Sequence, residues 1–221
     1  MKRVVVVGGA LAFTLLLVAA MRELAPAAID LRPSVAAHLA ASGVEHPVTA
    51  VLLNYRGYDT LLEIAVLLLA LLGILAVTRD QGGGAPRPVD PLLQMLARIA
   101  APLMIVVAIY LLWAGAFRPG GAFQAGAVLA AAMVLLHLTG LLPGWRQPGV
   151  RLRWGLAAGF LVFLAVAAAL LLAGGLLTYP PAHAGALILL IESGLTFSLG
   201  LILAGLFLFL SRDEDNEGDA P

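Results

Sequence analysis

The chain has 221 residues, of which 62% are hydrophobic and 12% charged, against roughly 45–50% and about 25% in soluble domains. That apolar excess is too large to hide in a core of this size, so it faces lipid and the protein is read as integral to a membrane. Thirteen basic and thirteen acidic residues cancel to a net charge of zero and cysteine is absent, which excludes an electrostatic nucleic-acid partner, disulfides, thiolate catalysis and cysteine-ligated metals.

Six unbroken apolar runs follow in chain order: Val4–Ala20, Thr60–Val77, Ile99–Trp113, Ala122–Leu138, Leu156–Leu177 and Ala184–Leu210. Each is near the ~20 residues that cross about 30 Å of hydrocarbon. None alternates with period two, so the fold class expected is all-α, an integral membrane protein of about six transmembrane helices with short loops. The first run follows Lys2 and Arg3, as in a signal peptide. Its apolar core exceeds the usual ~7–15 residues and no clean small-x-small site precedes Arg22, so it is expected to be kept as a helix. One long outer loop, Met21 to about Thr49, joins the first two spans. The stretch Gln81-Gly82-Gly83-Gly84-Ala85-Pro86-Arg87-Pro88 reads as a flexible linker. The division expected is a two-helix module over 1–80, the linker over 81–91, a four-helix module over 92–211 and an acidic, disordered tail over 212–221.

Loop charge sets the orientation. With the N-terminus inside, Lys2, Arg3, Arg79, Arg87, Arg98, Arg146, Arg151, Arg153 and Arg212 lie on the cytoplasmic side, and only Arg22, Arg32, Arg56 and Arg118 lie outside. Both termini are then cytoplasmic; the prokaryotic plasma membrane expected here is what the family resemblance given below implies. Trp113, Trp145 and Trp154 fall at span ends, as an interfacial belt requires.

At the mouth of the second span, Arg56, Asp59 and Glu63 are spaced by three and four residues, which stacks them on one helix face. Glu63 sits just inside the apolar run, where a charge costs about 2.5–3.5 kcal/mol on insertion scales. Two readings stand: a carboxyl that takes up and releases protons along an ion path, or an interfacial helix anchor in which Arg56 pairs with Asp59 while Glu63 snorkels or hydrogen-bonds a neighbouring helix. Between spans three and four, Pro119-Gly120-Gly121 is a turn signal read as an antiparallel hairpin, after which Ala122, Ala125, Gly126, Ala130 and Ala131 permit close helix packing; the alternative is a re-entrant or ion-lining backbone segment.

Glu192 lies deep in span six, followed by Thr196 and Gly200 at intervals of four. It is a second candidate for the proton or ion path, or a hydrogen-bonding residue between subunits. His137, near the end of span four, is an interface residue or a relay. Gln124 reads as a packing residue and His183 as a turn residue. Gly155 and Gly159 have small-xxx-small spacing. His38, His46 and Glu45 share the outer loop, but nothing in their spacing indicates a metal site. No nucleotide fingerprint or nucleophile-base set is present, so neither enzymatic chemistry nor a cofactor is expected.

The segment Tyr55-Arg56-Gly57-Tyr58-Asp59-Thr60-Leu61-Leu62-Glu63 resembles the F-R-G-F-D-T-x-G-E motif near the C-terminal end of the A subunit of Mrp-type multisubunit Na+/H+ antiporters. Pro119-Gly120-Gly121-Ala122-Phe123-Gln124-Ala125-Gly126 resembles the P-G-G-G-F-x-G-G signature of the B subunit, the MnhB/MrpB domain. Leu62 replaces a small residue, and Ala122 and Ala125 replace glycines, while Gly57, Pro119, Gly120, Gly121, Phe123 and Gly126 stay in register. The resemblance implies an accessory subunit of a hetero-oligomeric monovalent cation (Na+)/proton antiporter in the lipid bilayer, with other subunits as partners. Two alternatives are a membrane-arm subunit of a membrane-bound hydrogenase or complex I-like redox-driven pump, and a non-conducting scaffold.

Overall fold

The computed structural model describes residues 2–23, 30–77, 90–142 and 149–217. Most of the 81–91 linker, Arg79, Arg87, Trp145, Arg146 and residues 218–221 lie outside the described residues. The elements in order are α1 (Lys2–Arg22), α2 (Arg32–His38), a 3₁₀ turn (Leu39–Ala41), α3 (Pro47–Ala50), a π-helical turn (Val51–Tyr55), α4 (Gly57–Val77), α5 (Pro91–Ala114), α6 (Ala122–Leu138), α7 (Val150–Leu172) and α8 (Ala184–Glu217). Among the described residues there is no strand.

All six predicted runs are helical. Four helices are long and apolar enough to cross a membrane: α4 over Gly57–Ala76, α5, α7, and α8 over Ala184–Leu208. Val7–Arg22 of α1 and the whole of α6 are shorter apolar helices. The protein is a multi-pass membrane protein.

Several helix ends differ from expectation, α7 beginning at Val150 and not Leu156 among them, and three have a visible cause. α5 begins at Pro91, not Ile99, because the Asp90 carboxylate accepts the Leu92 N–H (2.8 Å) and Pro91 fills the first turn. α7 ends at Leu172, not Leu177, where Gly174 takes φ 125° and the N–H groups of Gly174 and Gly175 turn back onto Leu171 and Leu170. α8 continues to Glu217, so residues 212–217 are helical where composition suggested disorder; extending an existing helix avoids the cost of nucleating one.

By packing, the chain divides into two compact units, Met1–Ala36 and Ala37–Pro221. This boundary falls in the long loop and not at the Gly/Pro linker. In the first unit α1 is exposed from Val7 onward, and Asp30 pairs with Arg32 (3.0 Å), whose side chain and N–H hold the Asp30 carboxyl below its ordinary value.

In the second unit α8 is the central helix, packed most extensively on α6 and α7, with α4 also against it and α5 beside α6. Glycines set the close approaches. A Cβ at Gly126 would lie 2.8 Å from the Leu199 Cβ, and one at Gly159 would lie 2.8 Å from the Gly194 carbonyl oxygen and 2.9 Å from the Leu195 Cα. Ala122, Ala125 and Ala130 are buried as expected, but Ala131 is exposed. The larger of two apolar clusters joins Leu53, Leu61 and Ile64 to Phe163, Ile188, Ile191 and Leu199, and the smaller joins Leu71 to Leu156 and Ile202, so residues on both sides of the linker share each.

At one end of this unit three connections gather. The N–H groups of Glu45 and His46 donate to the Ala116 carbonyl (2.8 and 3.0 Å), and the Thr49 hydroxyl donates to the Gly115 carbonyl (2.5 Å). Asn54 Nδ2 donates to the Ser42 carbonyl (3.2 Å). Gly43, at φ 81°, lies so close to Ala184 and Gly185 that a side chain there would collide with both. These bonds hold the 37–57 segment over the start of α6 and α8.

Candidate functional site

The turn between α5 and α6 is tightly wound. The N–H groups of Gly115 and Gly121 both donate to the Leu111 carbonyl (3.1 and 2.8 Å). A Cβ on Gly120 would lie 2.5 Å from that same oxygen. Gly121 has φ 105°, a backbone region that only glycine adopts freely. Pro119, Gly120 and Gly121 are therefore a hairpin that brings the first N–H groups of α6 to face α8.

Glu192 of α8 occupies that position. It is 5% exposed, and its carboxylate accepts a hydrogen bond from the Ala122 N–H at the start of α6. A Cβ on Gly121 would sit 2.8 Å from Glu192 Oε1 and 3.9 Å from Gln124 Oε1. The positive end of the α6 dipole favours a carboxylate there. The two features that stood apart in the sequence, the glycine turn and the isolated glutamate, form one site. Glu192 finds its donor within its own chain.

Glu192 lines two cavities. One, of about 380 Å³, is bounded by Val44, Glu45, Trp113 and Phe117. The other, of about 50 Å³, is bounded by Thr49, Thr60, Gly121, Phe123 and Gln124. Both exceed the roughly 10–15 Å³ needed for one water.

Glu63 is placed differently. It is exposed on α4, seven residues in, about 9 Å along the helix axis from Gly57 at 1.5 Å per residue. Arg56 and Asp59 form an ion pair, with Arg56 Nε 2.6 Å from Asp59 Oδ2, exposed 68% and 46% in their side chains. Among the described residues no hydrogen bond or ion pair reaches Glu63. Gly57 is buried, where a side chain would crowd Leu177 (3.1 Å), and the Thr60 hydroxyl donates to the Leu52 carbonyl (2.6 Å).

A family model described as a domain related to the MnhB subunit of Na+/H+ antiporter matches residues 92–211. The chain belongs to the MnhB family. Comparison with curated proteins found no match. Among solved structures, one similar chain is from the membrane-bound sulfane sulfur reductase, an archaeal respiratory membrane complex, at 22% identity and TM-score 0.72, covering 95% of this chain and 97% of that one. Another is from the Mrp complex of Dietzia sp. DQ12-45-1b, at 22% identity and TM-score 0.71, covering all of this chain and 27% of that one. Both share the fold.

Within the MnhB region, the structure keeps His137 apart from Glu192. It lies fifteen residues from Ala122 on α6, about 22 Å along the axis, half-buried with an unpartnered Nδ1. Phe123 is half-buried on the chamber wall and Gln124 is exposed at its edge, while Gly126 belongs to the α6–α8 contact. The cavity residues Thr49 and Glu45 were not singled out for this site by sequence, because they reach it through long-range bonds to the α5–α6 turn. Tyr179, in the α7–α8 connection, is 6% exposed with an unpartnered hydroxyl, and burial pushes its phenol well above its ordinary value. Among the described residues no three His, Cys, Asp or Glu side chains gather as a metal site would require.

Proposed function

We propose that this protein is an accessory membrane subunit of a multisubunit monovalent cation (Na+)/proton antiporter, contributing to the ion or proton path and to subunit packing, and not an enzyme. The observation that carries this reading is Glu63. An exposed carboxylate about 9 Å into an apolar membrane helix is costly in lipid and needs another subunit to cover it. Membership of the MnhB family supports an antiporter as that assembly. The charge asymmetry of the loops supports an orientation with both termini cytoplasmic, and the likeness to Na+/H+ antiporter subunits supports a prokaryotic plasma membrane.

The test is Glu63→Gln in the assembled complex, which keeps shape and hydrogen bonding and removes titration. Everted vesicles at normal expression are expected to lose most cation-dependent proton movement; full activity would leave Glu63 as an anchor.

A second reading, a membrane-arm subunit of a redox-driven ion pump, draws on the likeness to a chain of a respiratory membrane complex. Co-purification separates the two. Large antiporter-like subunits recovered with the tagged chain favour the antiporter, and metal-containing redox subunits favour the pump.

A further inference from the structure

We propose that Glu192 is a proton-exchange group at the partition between two cavities, each large enough for water, that the MnhB region forms with the segment 40–60, and that Gly121 is the residue that positions it. This deepens the ion-path reading above and rests on it for the direction of use, but the site is built from this chain alone.

The geometry has three parts. Glu192 is the titratable residue that lines both the ~380 Å³ cavity and the ~50 Å³ chamber, so its side chain is within reach of water in either. Its donor is the Ala122 N–H at the first turn of α6, an arrangement that supports the anion on one side of the exchange. The place where a side chain at residue 121 would stand is held by Glu192 Oε1 itself, 2.8 Å from the would-be Cβ. Gly121 thus does two things: it takes the φ of 105° that turns α6 toward α8, and it leaves the carboxyl its room.

The walls of the two cavities hold no cation beside Glu192. Among the residues lining the two chambers the other ionisable side chain is Glu45, in the larger cavity, and neither lining includes Lys, Arg or His. Beyond the linings, Arg118 is exposed in the α5–α6 turn, His46 is half-buried before α3 and His183 is exposed before α8; the Arg56–Asp59 pair and Glu63 are outward on α4, Arg98 is exposed on α5, His137 is at the far end of α6, and Arg151 and Arg153 are in the first turn of α7, remote from the chambers. Tyr179 contributes a buried phenol to the apolar core. With no cation alongside it, the carboxyl gains and loses charge by exchanging a proton with water. One turn further along α8, the buried Thr196 hydroxyl has no partner and continues the polar line.

The test uses the intact complex, in two measurements. The first is infrared difference titration. Wild type is expected to show a protonated-carboxyl band that appears and vanishes with pH and is absent from Glu192→Gln; identical spectra would overturn the proposal. The second is proton flux in proteoliposomes. Glu192→Gln is expected to lower it at least tenfold with assembly intact, and Gly121→Ala to lower it several-fold while shifting the carboxyl band; unchanged flux in both would overturn it. If Glu192→Gln does not assemble, Glu192→Asp, which draws the carboxyl back by one methylene, gives the same reading: a several-fold loss supports the site and wild-type flux overturns it. A wild-type complex with no cation-dependent proton movement defeats the antiporter reading and leaves the infrared result to decide Glu192.

Discussion

Gly159 is where the packing of the bundle is most exposed to a small change. A Cβ added there meets the Ser198 hydroxyl, the Gly194 carbonyl oxygen (2.8 Å) and the Leu195 Cα (2.9 Å). The last two are backbone, so relief requires α7 and α8 to move apart along the contact that carries Phe163, Leu195 and Leu199. Overpacking of this kind costs about 1–3 kcal/mol. Alanine also gains about 0.8–1.0 kcal/mol of helix propensity over glycine, which would mask part of the loss. Gly73 on α4 supplies the control: it is exposed, with nothing within 4 Å of its would-be Cβ, so Gly73→Ala takes the propensity gain alone. The difference between the two variants is therefore about 1–3 kcal/mol, or roughly 5- to 150-fold in the folded-to-unfolded ratio. Detergent-driven unfolding in mixed micelles, followed by circular dichroism and repeated for both variants, measures that difference. Equal stability, or a Gly159→Ala protein firmer than Gly73→Ala, would refute the claim that glycine contacts hold α7 on α8.

Other consequences are testable in the same preparation. Asp90→Ala removes the side-chain acceptor from the first turn of α5 and is expected to lower stability by about 1 kcal/mol in the same unfolding assay. Tyr179 is expected to stay protonated when the other tyrosines ionise, because burial raises its phenol above the ordinary 10.0. The unfolded chain then loses a proton that the folded chain keeps, so stability falls as pH climbs past about 10. Ultraviolet difference titration of wild type against Tyr179→Phe checks this, and the variant should lose only the slope. Glu63→Gln is expected to remove most cation-dependent proton movement while leaving the Glu192 carboxyl band in place, since the two residues occupy different faces of the bundle.

The helices were legible because a membrane span advertises itself as an unbroken apolar run, and each predicted run is helical. The ends were less so. Asp90-Pro91 starts α5 through capping chemistry that a hydrophobic run does not contain, and Leu176-Leu177 looks like more of α7 although Gly174 and Gly175 have already ended it. Glu192 could be found because a carboxylate in such a run stands out, and Gly121 because Pro-Gly-Gly signals a turn. Their meeting could not be read, since no local periodicity links α6 to α8. The same holds for Thr49, whose hydroxyl bonds a carbonyl 66 residues away. The Gly/Pro linker is a visible break in composition, yet Leu61 and Ile64 before it pack in one core with Phe163 and Ile188 after it. Linker composition reports on the connection and is silent about the surfaces it joins.

The two glutamates differ in what each requires of its surroundings, and that difference assigns them different parts. Glu192 has a donor, two chambers and a wall of apolar side chains, all supplied by residues 37–217. Such a group is held in a defined position before any other subunit binds. Glu63 has none of these, and its exposure on a membrane helix is costly unless its carboxyl snorkels to the interface or a second surface replaces lipid. A path that used Glu63 would therefore exist only in the assembled complex, whereas one that used Glu192 is already shaped in the isolated fold. Glu63 lies in the sequence before the linker and Glu192 after it, while the shared core fixes α4 against α8. Carrying both residues on one polypeptide thus holds the exposed carboxylate of α4 at a set distance from the internal one, which a loose association of two separate chains would not ensure.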